Sequence, residues 1–345
     1  MINFPEKIVS EAQLEELLAA PTTGVVEMMK KLKGDIIFLG VAGKMGVSMA
    51  RMAKKACDIA GVQKRIIGVS RFSSETQRLF LEENGIETIK GDLVNQEFIN
   101  SLPEVENVYY LAGMKFGTEG NESFTWAMNS YLPGLVAEKF SHSKIVAFST
   151  GCVYPLVSYK TGGSLETDAT NPVGEYAQSC LGRERLFEFG SIKNSTQVSL
   201  IRLFYAVEMR YGVLVDIATK VFNEEPVDIT MGYANVIWQG DANAMILQTI
   251  LHAKSPAFPI NITGPELISI RETALKFGEL MKKKVKLTGV ENETAFLGNA
   301  DMSFKLFGKP NVTAERVINW TAQWISENHR LLGKPTHFEV RDGKY

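Results

Sequence analysis

The sequence is poor in cysteine, has almost no excess of either charge and contains no long hydrophobic run. Three cysteines, Cys57, Cys152 and Cys180, occur in 345 residues. They are too few for a disulfide framework and lack the spacing of zinc ligands. The formal net charge of −2 gives no electrostatic reason to expect nucleic acid or an anionic membrane as a partner. Apolar runs such as Ile36 to Val41 have the length of a strand and cannot span a bilayer, and the first residues lack the pattern of a signal peptide. We therefore expect a globular, reduced, cytoplasmic protein.

Short apolar segments alternate with helical segments through much of the chain. Residues 1–33 carry leucine, valine and methionine at helical spacings and predict a helical N-terminal extension. Between residues 34 and 205, segments of helical pattern separate apolar segments of strand length: 35–39, 65–69, 87–90, 107–111, 144–148 and 197–203. This alternation is typical of right-handed βαβ units and predicts an α/β fold, a Rossmann-type doubly wound parallel sheet. From residue 206 to residue 345 the alternation loosens into helices and loops.

A glycine-rich turn follows the first predicted strand. Gly40, Gly43 and Gly46 form a Gly-x-x-Gly-x-x-Gly pattern, with Lys44 and Met45 between the last two glycines. Glycines here allow a tight turn and a close approach of the backbone to a pyrophosphate, and the following helix offers free N–H groups to the anion. Such a turn can also be a plain strand-to-helix connection. Its place after the first strand of the sheet favours a dinucleotide site.

The end of the second predicted strand bears on the choice of cofactor. Enzymes selective for NAD usually have Asp or Glu there to bind the ribose 2′-hydroxyl. This chain has Ser70 followed by Arg71, a pair that can accommodate a 2′-phosphate. The sequence therefore favours NADP over NAD, although Arg71 can also be read as a solvated surface charge.

A hydroxyl at a strand end and a tyrosine at the head of a helix suggest an acid/base pair over a bound cofactor. The first is Thr150, in Ser-Thr-x-x-Val-Tyr, and the second is Tyr176. This arrangement resembles the short-chain dehydrogenase/reductase superfamily, in particular its extended, NAD-dependent epimerase/dehydratase branch, whose members include UDP-galactose 4-epimerase. Those enzymes normally carry Tyr-x-x-x-Lys, and here Cys180 stands at the lysine position.

The resemblance implies roles for further residues. Lys115, in an Ala-Gly-x-Lys segment, would contact the cofactor phosphates, Asp92 would lie near the adenine ring, and Asn129 would support the catalytic centre through hydrogen bonds. The cofactor site implied in full consists of Gly40, Gly43, Lys44, Met45, Gly46, Ser70, Arg71, Asp92, Leu93, Leu111, Ala112, Gly113, Lys115 and Tyr176. In this family the region after the Rossmann domain forms a small substrate-binding lobe. The resemblance assigns that lobe to residues 206–345, with segments near 227–250 returning to the main sheet.

The substrate side departs from the family pattern. Ala234 stands where UDP-sugar enzymes have an arginine on the diphosphate, and losing this bidentate ligand argues against a nucleotide-sugar substrate. Tyr205 replaces an asparagine that usually contacts the sugar. We expect a smaller sugar, sugar acid or polyol, with Arg210 as a candidate carboxylate ligand and Trp238 or Tyr205 stacking on the sugar. The last stretch, 333–345, matches nothing in the family and is consistent with a solvated tail.

The missing lysine leaves three interpretations open. Another cation, Arg183 or Lys115, replaces it; Cys180 acts as a thiolate; or the protein has lost the redox reaction and senses a bound nucleotide. The resemblance implies an NAD(P)-dependent epimerase or dehydrogenase in which Tyr176 is the acid/base and Thr150 orients the substrate hydroxyl. Gly151-Cys152 replaces the Asp-Glu pair of 4,6-dehydratases, which argues against that reaction. Family members usually form homodimers, so a homodimer is also expected here.

Overall fold

The computed structural model describes residues 2–115, 117 and 120–344. Its strands are β1 (Ile36–Leu39), β2 (Ile66–Ser70), β3 (Glu87–Lys90), β4 (Asn107–Tyr110), β5 (Lys144–Thr150), β6 (Val157–Ser158), β7 (Val198–Leu203), β8 (Tyr205–Val207), β9 (Pro226–Asp228), β10 (Tyr233–Trp238), β11 (Phe258–Ile262), β12 (Leu267–Ser269), β13 (Lys286–Thr288) and β14 (Thr294–Ala295). Its α-helices are α1 (Glu11–Leu18), α2 (Thr23–Lys31), α3 (Gly46–Ala60), α4 (Glu75–Glu83), α5 (Gln96–Ser101), α6 (Glu122–Trp126), α7 (Leu132–Lys139), α8 (Gly174–Asn194), α9 (Val213–Phe222), α10 (Gln239–Gln248), α11 (Ile270–Met281), α12 (Asp301–Phe307) and α13 (Ala314–Ser326).

The main sheet has, within the described residues, seven parallel strands in the order β11-β7-β5-β4-β1-β2-β3. The strand order reverses between β1 and β4, which creates a crevice at the carboxyl ends of these two strands. The Rossmann-type doubly wound fold predicted from the sequence is confirmed. None of the helices in the described ranges is long and apolar enough to cross a membrane.

Helices cover both faces of the main sheet because its central strands are apolar on both sides. Within β1, Ile36 and Phe38 belong to one core cluster, together with residues of α2, α3 and α10. Ile37 and Leu39 point the other way, into a cluster shared with α7 and α8. The alternation of side chains along a strand produces this division, and the run of buried apolar residues predicted it.

The segment that returns to the main sheet is not the one expected. It is β11, at residues 258–262, which pairs with β7 at the sheet edge. In the range 227–250, β10 instead pairs with β8 and β12, while α10 packs on α3. The reason is local: the chain leaves the main sheet after Leu203, and β8 then serves as the partner of β10.

The N-terminal extension joins the two parts of the protein. Leu14 and Leu18 of α1 are buried with residues of α9, α11 and α13, whereas Val25 and Met28 of α2 are buried against the main sheet. Ser10 and Thr22 accept hydrogen bonds from backbone N–H groups two or three positions into these helices and so cap them.

Residues 332–344 form a segment that we call the C-terminal strap. It begins where Leu332 N donates to Arg210 O at 3.0 Å, and it buries Phe338 in the core. Further on, Arg341 donates hydrogen bonds to Thr294. The close approach of Gly343 to Val173 brings the strap to the start of α8; a Cβ on Gly343 would lie 2.2 Å from Val173 O. The strap is therefore packed structure and not the solvated tail that the sequence suggested.

Candidate active site

A cavity of about 290 Å³ opens at the carboxyl edge of the main sheet. Its walls come from the turn after β1, the segment after β4, the end of β5, the first turns of α8, the segment from β8 to the start of α9, and Thr336 of the strap. The switch point of the strand order therefore lies directly under the cavity. Ligands of doubly wound sheets bind in this crevice.

The glycine-rich turn has a geometry that only glycine permits at two positions. Gly40 has φ +92°, and a Cβ there would lie 2.7 Å from Ala112 N. A Cβ on Gly46 would lie 2.3 Å from Val41 O. The N-terminus of α3, at Met45, has no side-chain cap, so its first N–H groups are available to an anion in the cavity.

The residues predicted around the adenine and its ribose do not line this cavity. Ser70 and Arg71 lie at the end of β2 and Asp92 lies after β3, on the same edge of the sheet. The Asp92 carboxylate accepts a hydrogen bond from Val94 N at 3.1 Å. Leu93 is 6% exposed and belongs to the core under the sheet. The Leu93 side chain thus packs inward, and the assignment of Leu93 to the cofactor site stays a prediction.

Thr150 and Tyr176 meet at the cavity wall. Thr150 ends β5, Tyr176 lies in the first turn of α8, and both residues line the cavity. Burial raises the pKa of the Tyr176 phenol well above its ordinary value, and neighbouring Cys180 and Cys152 raise it further. Arg183 and the hydrogen bond to Thr150 act in the opposite direction. At neutral pH the phenol therefore carries its proton.

Two cations line the same cavity as this phenol. The guanidinium of Arg183, seven residues after Tyr176 on α8, lines the cavity and donates to Asn129 Oδ1 at 2.6 Å and to Phe148 O at 2.9 Å. Lys115 Nζ is 6.0 Å from the centroid of the Tyr176 ring and donates to Thr336 O at 3.2 Å. The structure thus brings together both of the side chains considered as substitutes for the missing lysine.

Asn129 holds the loop of Lys115 and the helix of Tyr176 together. Its side chain accepts from Met114 N and donates to Met114 O, both at 2.8 Å, and it donates to Ser179 Oγ at 3.0 Å. It is fully buried and does not line the cavity. Asn129 is therefore a positioning residue and not one that touches a ligand.

A π-helical turn at Ala127–Tyr131 directs Asn129 inward. Pro133, four residues after Asn129, lacks the N–H that an α-helix would direct at the Asn129 carbonyl. In its place Arg183 Nε donates to that carbonyl at 3.4 Å. A proline and an inserted side-chain donor are recognised causes of irregular winding in a helix.

The predicted substrate ligands are only partly brought to the cavity. Tyr205 lines it. Arg210 does not, because its guanidinium is paired with Glu208 and Glu15. Trp238 is 1% exposed and is buried in the core of the lobe, in edge contact with another tryptophan. The structure does not bring Arg210 or Trp238 to the cavity, since other side chains already contact both of them.

The known proteins that match this chain are matched through structure. A scan against protein-family models gave no match, and a search of curated proteins also gave none. A variant of the UDP-glucuronic acid 4-epimerase of Bacillus cereus, solved with NAD and UDP-4-deoxy-4-fluoro-glucuronic acid, superimposes with a TM-score of 0.70 at 17% identity, over 86% of this chain and 100% of that chain. The UDP-glucose 4-epimerase of Thermotoga maritima, solved with UDP-glucose, has a TM-score of 0.70 at 16% identity, over 85% and 99%. The dTDP-glucose 4,6-dehydratase of Bacillus anthracis, solved with NAD, has a TM-score of 0.72 at 16% identity, over 85% and 97%.

This chain shares its fold with these sugar-nucleotide epimerases and this dehydratase. The fold accounts for the main sheet, the cavity at its switch point and the position of the Thr150–Tyr176 pair at the cavity wall.

Cys180, for which the sequence resemblance predicts the lysine position, lies on α8 four residues after Tyr176. It is 1% exposed, packs with Val153, Tyr154 and Phe204, and does not line the cavity. Burial raises the pKa of its thiol to about 11, although a hydrogen bond with Tyr176 opposes that shift. A pKa raised in this way keeps the thiol neutral at physiological pH, which argues against the interpretation that Cys180 acts as a thiolate.

Some residues of the cavity have no signal in the sequence. Thr336 lies in the strap, far from every motif, and reaches the site because its N–H and hydroxyl both donate to Asp216 on α9. Lys44 was expected at the cofactor, yet its Nζ reaches across the cavity to Ala206 O at 2.8 Å. No spacing rule predicts contacts between positions so far apart in sequence.

Proposed function

We propose that the protein is an NAD(P)-dependent enzyme of the extended short-chain dehydrogenase/reductase type that oxidises, reduces or epimerises a carbohydrate-like alcohol. The observation that carries this proposal is that Thr150 and Tyr176 line the same cavity as the glycine-rich turn. That is the arrangement needed to move a proton at a substrate oxygen held beside a dinucleotide.

The residues around the cavity fit a dinucleotide. The uncapped start of α3 would hold the pyrophosphate, and Gly40 and Gly46 leave no Cβ in its way. Ser70 and Arg71 at the end of β2 support NADP, while the neighbouring structures solved with NAD support NAD. When bound, the nicotinamide would supply the hydride acceptor or donor.

Tyr176 would give its proton to, or take it from, the substrate oxygen, while Thr150 holds that oxygen in place. Because its pKa is raised, Tyr176 is a proton donor at neutral pH, and reduction of a carbonyl is the direction it favours there. Arg183 replaces the missing lysine in one role, because a nearby cation stabilises the phenolate of Tyr176.

The substrate would be smaller than the nucleotide sugars with which the neighbouring proteins were solved. Ala234, the residue at the expected diphosphate position, is 1% exposed within β10. Thr336 of the strap is one of the residues that line the cavity. A free sugar, sugar acid or polyol fits this space.

Cofactor release tests the proposal. Protein purified without added nucleotide is denatured, any freed dinucleotide is identified, and the remaining apoprotein is titrated with NAD and NADP. Retained NAD supports an epimerase that keeps its cofactor, and exchangeable NADP or NAD supports a dehydrogenase or reductase. If the protein binds neither NAD nor NADP, the proposal is refuted.

A second candidate function is a non-catalytic NAD(P) sensor, which the neutral Cys180 favours. The same preparation distinguishes the enzyme from the sensor. A protein that binds the cofactor but turns over none of the sugars, sugar acids and polyols tested would support the sensor.

A further inference from the structure

Thr336 brings the C-terminal strap into the wall of the cavity. Its N–H donates to the Asp216 carboxylate at 2.7 Å, and its hydroxyl donates to the same oxygen. Its carbonyl accepts a hydrogen bond from Lys115 Nζ at 3.2 Å. Asp216 belongs to α9 of the C-terminal lobe, whereas Lys115 follows β4 of the main sheet. Thr336 therefore links the two parts of the protein at the cavity.

The position of Asp216 on α9 makes it a suitable anchor for Thr336. Asp216 lies in the first turn of α9, where the helix dipole stabilises a carboxylate. Gly212 and Val213, at the start of the same helix, line the cavity. Burial raises the pKa of the Asp216 carboxyl, and the hydrogen bonds from Thr336 oppose that shift. A carboxylate with restricted access to water is costly without donors, so Asp216 and Thr336 hold each other in place.

The far end of the strap packs against the start of α8. Gly174 and Gly343 both have positive φ, at +81° and +77°. A Cβ on Gly174 would lie 2.4 Å from Gly343 O, so the two backbones are in contact. Gly174 is two positions before Tyr176 on the same helix, and α8 begins without a side-chain cap. The strap therefore contacts the turn of helix that carries Tyr176.

Between these two contacts the strap is fixed to the C-terminal lobe. Phe338 is 2% exposed and is buried with residues of α9, α11 and α13. Arg341 donates to Thr294 O at 2.5 Å and to Thr294 Oγ1 at 2.6 Å. A displacement of the strap on the lobe therefore also changes its contacts with Lys115 and with the start of α8.

We propose that Thr336 and Asp216 are positioning residues of the active site. Through them the strap sets the positions of Lys115 and of the first turn of α8, while proton transfer remains with Tyr176. The bond from Lys115 to the Thr336 carbonyl needs an N–H and not a charge, so it is the same whether or not the lysine is protonated. This inference rests on the proposed function, since Tyr176 is the acid/base of that function.

Turnover of a variant that lacks one hydroxyl tests the inference. Calorimetric binding to the cofactor-saturated protein first selects the substrate among D-glucose, D-glucuronate and sorbitol. Thr336→Val should lower kcat for that substrate about tenfold with little change in KM, because small displacements of a reacting group are costly. Thr336→Ser keeps the hydroxyl and should retain the wild-type kcat. The matched control is Thr161→Val, which removes an exposed hydroxyl that donates to Ser158 O at 2.8 Å outside the cavity, and it should leave kcat unchanged.

A double-mutant cycle tests whether the two positioning residues act as one. Asp216→Ala removes the acceptor of both Thr336 bonds and should lower kcat at least as much as Thr336→Val. The variant with both changes should be no slower than Asp216→Ala alone, because both substitutions remove the same hydrogen bond. Additive losses would contradict the inference, since they would assign the two residues to separate roles.

Hydrogen exchange reports the same coupling without a substrate, and it decides the matter if none of the three ligands is turned over. Exchange is measured for peptides that cover residues 107–115, 174–180 and 332–344. We expect Thr336→Val to accelerate exchange in all three peptides, and Thr336→Ser and Thr161→Val to accelerate it in none.

Two results would overturn the inference while leaving the proposed function intact. One is faster exchange of Thr336→Val in residues 332–344 alone, and the other is a wild-type kcat in that variant. If the wild-type protein binds no dinucleotide, the proposed function itself fails. Thermal unfolding of each variant distinguishes a displaced active site from a loss of the fold.

Discussion

Replacement of Arg183 by methionine tests how the enzyme manages without the family lysine. Methionine keeps most of the buried volume of the side chain and removes its charge. Arg183 stabilises the phenolate of Tyr176, so we expect the pKa of Tyr176 to rise in the variant. Oxidation of an alcohol needs the phenolate. The variant should therefore reach a given rate of alcohol oxidation only at a higher pH than the wild type.

The size of the shift follows from the helix that carries both residues. Seven residues of α-helix rise by about 10 Å. Two unit charges about 10 Å apart interact by about 1.7 kcal/mol at an effective dielectric constant of about 20. That energy corresponds to slightly more than one pKa unit. The variant's pH profile should therefore be displaced upward by about one unit.

The assay is kcat/KM for alcohol oxidation from about pH 6 to pH 10, with the substrate identified in the binding screen. Because the folded-state pKa of Tyr176 is raised, activity should increase with pH in the wild type and increase later in the variant. Arg185→Met on the same helix removes an exposed arginine paired with Glu188 and serves as the control. A variant that loses activity without any displacement of the profile would refute the electrostatic role and leave Arg183 a structural residue.

Three further predictions follow from particular contacts. Tyr176→Phe should lower turnover by about 100-fold or more with the cofactor dissociation constant unchanged; retained turnover would exclude its role as acid/base. Gly46→Ala should abolish cofactor binding in a fluorescence titration, because its Cβ would lie 2.3 Å from Val41 O; tight binding by this variant would contradict the assignment of the turn. Arg202→Met should lower the free energy of unfolding by about 3–5 kcal/mol in urea, because it leaves the fully buried carboxylate of Glu184 without its partner at 2.8 Å; a loss below about 1 kcal/mol would show that the pair is dispensable.

The sequence predicted the features that depend on local patterns of residues. The strands β1, β2, β4, β5 and β7 contain short apolar runs, and the glycine-rich turn is defined by Gly40 and Gly46, whose neighbours exclude a Cβ. Thr150 and Tyr176 could be found because each sits at the end of an element that the pattern already defined.

What the sequence could not predict depends on contacts between distant positions. Arg210 looks like a free cation until α1 supplies Glu15 as its partner. Trp238 looks like a sugar-stacking residue until α13 buries it. Thr336 has no motif at all, and its place in the cavity depends on Asp216, which lies 120 positions earlier. Charge and aromaticity indicate what a side chain can do, but its partner decides whether it is available.

Because of the π-helical turn before α7, the number of residues in this segment affects the geometry of the active site. A π-turn holds one residue more than the α-helical turn that it replaces. Deleting one residue between Ala127 and Tyr131 would restore regular winding, and each residue of an α-helix turns by about 100°. Asn129 would then face away from Met114 and Arg183, which it now joins. At this point of the fold, the number of residues matters as much as their identity, so relatives that carry out the same reaction should differ here by substitution and not by insertion or deletion.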